Sequence, residues 1–172
     1  DEIFKANSAI LNALLTALNE RVFDNGGKRD PMPLEICIGA SNELPAEGEG
    51  LEALYDRFTL RRWVEPVKNR DALRGLLASR GEPGVAVRVA PEELAAVRQL
   101  AEHVDVPGDV LDALLDIRDA LAREHGITAS DRRWRKCVGL VRAAAAVAGR
   151  DTAERGDLVV LIDALWREPA ER

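Results

Sequence analysis

Ile10, Leu11, Leu14, Leu15 and Leu18 recur at helical spacing, and Asn12, Thr16, Asn19 and Glu20 take the other side. This pattern predicts a helix over residues 6–20, with Asn7 or Ser8 placed to cap its start. It stops at Val22-Phe23, where Asp24-Asn25-Gly26-Gly27 gives a dense hairpin-turn signal. Leu34-Glu35-Ile36-Cys37-Ile38-Gly39-Ala40 is a short β-prone run, expected to form a buried strand that stops at Asn42. Pro45 and residues 46–50 break any continuation. Leu51, Leu54, Tyr55 and Phe58 fall at i, i+3, i+4 and i+7, the apolar stripe of a short helix. Residues 59–64 fit a second short strand.

Pro66 marks a shift. Beyond it the helical signals cover residues 69–79, 91–103, 107–125, 130–148 and 152–166. Asn69, Pro91 after Ala90, and Ser130 are good helix starts. Residues 84–90 alternate Val with other residues and fit a brief strand. The expected fold class is therefore an α/β remnant over residues 1–65 followed by an all-α domain over residues 67–172. No internal repeat or low-complexity tract interrupts it.

Composition narrows the classes. A chain of 172 residues, 47% hydrophobic, is long enough for one medium domain or two small ones with a real core. It holds no apolar stretch of about 18 residues, and no secretory or transit segment is visible. The charge of −6 argues against wholesale nucleic-acid binding, which usually needs a basic face. Cys37 and Cys137 fit no metal or redox spacing, and each lies in an apolar run, so both are expected as buried free thiols; a cytoplasmic home follows. His103 and His125 sit near helix ends without metal-spaced neighbours, and no Ser-His-Asp or Cys-His arrangement is present. Trp63, Trp134 and Trp166 read as core or interface residues.

Four places carry candidate chemistry. Asp1-Glu2 opens the chain ahead of the first helix, Asn42 follows the apolar run, Arg57 lies in Leu54-Tyr55-Asp56-Arg57-Phe58, and Arg132 lies in Ser130-Asp131-Arg132-Arg133-Trp134-Arg135-Lys136. Each has a plain alternative: solvated surface charge for the acids and arginines, a turn-forming role for Asn42. On its helix Arg57 falls outside the apolar stripe, so it is presented at the surface. Trp134, Cys137, Val138 and Val141 make one face of the later helix. Arg132 and Lys136 fall opposite, with Arg135 flanking. Four cations near a helix start run against the helix dipole, which a bound polyanion would offset. Gly26-Gly27-Lys28 is not a phosphate loop, because Val22 and Arg29 break the Gly-x4-Gly-Lys-Ser/Thr pattern.

The order of these motifs resembles the later part of MoxR-type AAA+ ATPases, in particular the RavA branch. The likeness is strongest over residues 1–23, 39–62 and 128–140. It implies that Asp1-Glu2 ends a Walker B strand, with Asp1 helping to hold Mg²⁺ and Glu2 activating water. Asn42 is implied as sensor 1, fixing that water. Arg57 is implied as the arginine finger acting in the neighbouring subunit, with Arg61 or Arg62 as alternatives. Arg132 or Arg133 is implied as sensor 2, contacting the ATP phosphates in cis from a helical lid. Such fingers are worth roughly 10³–10⁵ in rate.

The resemblance further implies ATP and Mg²⁺ as the nucleotide system, and a homo-oligomeric ring, commonly a hexamer. That ring would remodel or mature client protein complexes, typically containing von Willebrand factor A-domain proteins. The Gly-rich loop, with its Lys and Ser/Thr, should precede Asp1. Its absence from these residues predicts that the chain alone does not hydrolyse ATP and that residues 1–65 are poorly packed without the other half of the sheet. Two rival readings stand beside this one: a non-catalytic helical interaction module, and a nucleic-acid-associated AAA+ motor or loader using the basic face over residues 132–142.

Overall fold

The computed structural model describes residues 1–5, 8–25, 27–45, 51–81 and 84–171, which fall into two compact units, Asp1–Thr59 and Leu60–Arg172. The predicted cap at Asn7 lies outside the described residues.

In the first unit a 3-10 turn at Ile3–Lys5 leads into α1, Ser8–Glu20. The Asp24–Gly27 signal gives the expected hairpin, β1 (Val22–Asn25) antiparallel to β2 (Lys28–Pro31), with Gly27 at φ +93° where a side chain would be strained. Arg29 braces the hairpin against α1 through Glu20, at 2.6 Å. After the loop comes α2, Glu52–Tyr55. Leu11, Leu51 and Leu54 form a small core, with Ile3, Phe4, Leu15, Leu18 and Phe58 packed on it. The Phe4 and Tyr55 rings meet edge to face at 5.7 Å.

The predicted strand over residues 34–40 does not form. Among the described residues the run has no ladder partner, and Ile36 and Ile38 are 65% and 89% exposed. Residues 59–64 and 84–90 likewise form no strand among the described residues, and Val85, Val87 and Val89 face solvent. An apolar alternation fits a pleated segment, but a strand also needs a neighbour's N–H and C=O groups. Among the described residues the β1–β2 hairpin is the only sheet. For the same reason Cys37 is exposed rather than buried, whereas Cys137 is buried as expected.

The second unit follows the predicted helices closely. α3 (Arg70–Ala78) is capped by Asn69, whose Oδ1 accepts from the amides of Asp71 and Ala72, both at 2.9 Å. α4 (Pro91–His103) starts on Pro91, and Glu93 reaches back to accept from the Ala90 amide at 2.8 Å. α5 (Gly108–His125) ends at Gly126, φ +68°, and α6 (Asp131–Val147) starts under the Ser130 hydroxyl. The segment predicted as a last α-helix is instead a 3-10 helix, Arg155–Asp163. Its buried Leu158 and Leu161 are three residues apart, as is Ala164 beyond them. That is the repeat at which 3-10 side chains eclipse.

α6 is the centre of this unit. Arg133, Cys137, Val141 and Ala145 form a buried row four residues apart, packed with Val104, Val110, Leu114, Leu158 and Leu161. Trp166 is buried and Trp134 half-buried, but Trp63 is 43% exposed and does not join the core. The Arg150 guanidinium grips Asp157 with two hydrogen bonds of 2.9 and 2.5 Å, next to the bond from the Glu154 amide to the same carboxylate.

Candidate functional site

The chain's first residues and the segment around Asn42 meet within the first unit. The Ile3 amide donates to the Ala40 carbonyl at 3.2 Å. Gly39 permits the approach: a Cβ there would lie 3.1 Å from Ile3 Cδ1 and 3.2 Å from the Phe58 ring. Glu2 is held at φ +51°, a left-handed backbone that non-glycine residues adopt only where neighbours enforce it. Its Oε2 is shielded from solvent, with the Lys5 ammonium 3.3 Å away.

Lys5 also lies 3.2 Å from Glu43 Oε1, so one ammonium bridges a carboxylate from each segment. Glu43, then Glu2, holds the Lys5 ammonium above the usual lysine range. The Glu43 amide donates to Ser41 Oγ at 3.3 Å, which folds a tight turn with the exposed Asn42 between them. Sequence reading missed Lys5 and Glu43. The signal for half of the bridge was local, since Lys5 stands at i+3 from Glu2 and returns over it in a 3-10 turn. Asp1 is exposed beside Glu2.

Arg57 is anchored on the last turn of α1, where its Nε donates to Asn19 Oδ1 at 2.8 Å. The alternatives to Arg57 behave differently. Arg61 is buried in the second unit, donating its side chain to the Trp166 carbonyl at 2.5 Å and its amide to the Asp163 carbonyl at 2.7 Å. Arg62 pairs with Asp163 at 2.9 Å.

At the start of α6, Arg132 and Arg135 are exposed and Lys136 is half-buried. Arg133 is not part of that surface: only 4% exposed, it donates Nε to the Ala164 carbonyl at 2.8 Å. Of the four cations near this helix start, Arg133 therefore does not face solvent.

Among the described residues no group of three or more His, Cys, Asp or Glu side chains could hold a metal, and no helix is long and apolar enough to cross a membrane. Magnesium accompanying a nucleotide makes no such demand, since one or two carboxylates plus phosphate oxygens and water complete its shell. The exposed Asp1 side chain is a carboxylate of that kind.

Residues 1–106 match the family model described as the MoxR domain in the MoxR-vWA-beta-propeller ternary systems, and residues 109–172 match an AAA lid domain. Two uncharacterised proteins of Methanocaldococcus jannaschii, MJ0812 and MJ0079, are each 40% identical, over 99% and 96% of this chain. The chain spans 45% and 43% of their lengths, less than half of each. Among solved structures, a candidate ATPase from Cytophaga hutchinsonii matches with a TM-score of 0.63 at 18% identity, covering 92% of this chain and 53% of that one. At that identity the likeness speaks for the fold: the later part of an AAA+ core followed by a helical lid.

Proposed function

Because the chain belongs to the MoxR family of AAA+ ATPases, we propose that it is the Walker B-to-lid part of a subunit that hydrolyses ATP to remodel or mature partner protein complexes. In this reading residues 1–65 belong to the ATPase core and residues 67–172 form the lid. The observation that carries it is the joining of the Asp1-Glu2 end to the Asn42 turn through Ile3, Ala40, Lys5 and Glu43. That joining supports a division of labour in which Glu2 takes the proton of the attacking water and Asn42 orients the same water by hydrogen bonding. Asp1 supplies a carboxylate to the magnesium that accompanies ATP.

Arg132, exposed at the start of α6, contacts phosphate in its own subunit, and the burial of Arg133 favours this choice between the two. Arg57 reaches the neighbouring subunit's phosphates, favoured over Arg61 by the latter's engagement with Trp166. A finger acting in trans requires a ring, and we read it as a hexamer of the RavA-like branch, working in the cytoplasm. The matched family description names MoxR-vWA systems, which supports von Willebrand factor A-domain proteins as partners.

The phosphate-cradling loop is expected from the remainder of the intact protein, so the 172-residue chain by itself turns over no ATP; stoichiometric, Mg²⁺-dependent hydrolysis by it would overturn that statement. The test of the reading is Glu2→Gln in the intact protein. Loss of a general base should lower turnover about 10²–10⁴-fold while nucleotide binding persists. Unchanged turnover would leave the non-catalytic interaction module as the better account. The nucleic-acid reading is weakened by Arg133, whose burial removes a cation from the basic face on which it depends.

A further inference from the structure

We propose that Lys5 is a positioning residue for ATP hydrolysis, setting the Glu2 carboxylate against the Asn42-bearing turn by bridging Glu2 and Glu43. The inference rests on the ATPase reading above and adds to it a residue with no assigned role.

The geometry is specific. Lys5 closes the 3-10 turn, its amide donating to the Glu2 carbonyl at 2.9 Å, so its side chain returns over Glu2. Nζ then stands 3.3 Å from Glu2 Oε2 and 3.2 Å from Glu43 Oε1. Lys5 is the cation shared by two carboxylates from segments far apart in sequence. Glu43 in turn borders Asn42, and its amide is fixed by Ser41 Oγ.

Stability alone does not account for this arrangement. The Lys5, Glu2 and Glu43 side chains are 52%, 41% and 64% exposed, and ion pairs so exposed contribute little to folding. Placement is where such a bridge has leverage. Water activation tolerates little error, since a misplacement of about 1 Å can cost about 10²-fold in rate. With Oε2 held by the ammonium, Glu2 keeps Oε1 for the water and is confined to one side-chain orientation. Without Lys5, two carboxylates would face each other across the junction and part. The left-handed backbone at Glu2 is the local sign of a residue held by its neighbours.

The test compares Lys5→Met, Lys5→Arg, Glu43→Gln, the Lys5→Met/Glu43→Gln double variant and Glu2→Gln in the intact protein. Lys5→Met should lower kcat about 10-fold or more with KM for ATP within about twofold, and Lys5→Arg should restore most of it. Glu43→Gln should show a smaller loss, and the double variant should be no worse than Lys5→Met alone, because the two share one bridge. A readout independent of turnover is the NMR pH titration of the Lys5 side chain in the intact protein. It should titrate above the ordinary lysine value and fall back in Glu43→Gln, the groups facing it being Glu2 and Glu43. If Glu2→Gln abolishes turnover but Lys5→Met keeps the wild-type kcat, the Lys5 assignment fails and the ATPase reading survives. If Glu2→Gln keeps turnover, both fail. A Lys5 titration at the ordinary value, indifferent to Glu43, overturns the bridge itself.

Discussion

Neighbouring arginines at the start of α6 should respond in opposite ways to removal. Arg133 is buried and its Nε donates at 2.8 Å to the carbonyl of Ala164, itself fully buried. Arg133→Met keeps most of the apolar stem but removes the donor. The loss is one charged hydrogen bond, about 1.5–3 kcal/mol, because the Ala164 oxygen remains behind without water to replace the guanidinium. Arg133→Ala also opens a cavity beside Cys137 and should cost about 2–4 kcal/mol. Arg132 is exposed, and Arg132→Ala should stay within about 0.5 kcal/mol of wild type. Urea unfolding followed by tryptophan fluorescence reads this directly, since Trp134 and Trp166 both report on the second unit. A lowered midpoint for Arg133→Met with an unchanged one for Arg132→Ala is the expected result. Equal midpoints for all three proteins, or an Arg132→Ala loss as large as that of Arg133→Met, would refute the placement of these side chains. The same pair separates stability from nucleotide contact. In the intact protein, Arg132→Ala should weaken ATP use without destabilising the fold.

The acid limb of stability should depend on Asp157. Arg150 holds its carboxyl below the usual aspartate value, so the contribution is fully present above about pH 4, the unfolded value, and fades as pH falls through the lower folded value. Asp157→Asn should lower stability at neutral pH and flatten that acid limb, as unfolding midpoints measured from pH 7 down to pH 2 would reveal; an unchanged acid limb would contradict the pair. Gly39→Ala places a methyl 3.1 Å from Ile3 and 3.2 Å from Phe58, and should destabilise by about 1–3 kcal/mol while reducing turnover of the intact protein, as denaturation and steady-state assays would measure. A Gly39→Ala protein with unchanged stability would mean that the first and fourth decades of the sequence are not packed as described.

What could be read from sequence was what is decided locally. Asn69, Pro91 and Ser130 begin their helices because a cap needs only the next few amides, and Asp24–Gly27 makes its hairpin for similar reasons. What could not be read depends on distant partners. The apolar run at Leu34–Ala40 has the composition of a strand, but no described strand lies beside it, so Ile36, Cys37 and Ile38 stay exposed. The sequence left Arg132 and Arg133 as alternatives, whereas Arg133 begins the buried row of α6, because the Ala164 carbonyl supplies the acceptor that makes burial tolerable. The proposal for Asp1-Glu2, Asn42, Arg57 and Arg132 rests on the order of the motifs along the chain. Lys5 and Glu43 were not, since their pairing exists only once the Ile3–Ala40 contact forms.

The hold of Arg61 on the Trp166 carbonyl spans 105 positions, nearly the whole second unit. Arg133 secures Ala164, two residues earlier in the same stretch. During synthesis both guanidiniums therefore emerge long before the carbonyls they serve. Until residues 163–166 clear the ribosome, α6 carries a cation in its core row with nothing to receive it. Helices α3 to α5 can coil as they appear, but closure of this unit is expected to wait on these contacts between residues distant in sequence. A nascent chain arrested just short of Leu165 should stay protease-sensitive, whereas one extended well past Arg172 should resist.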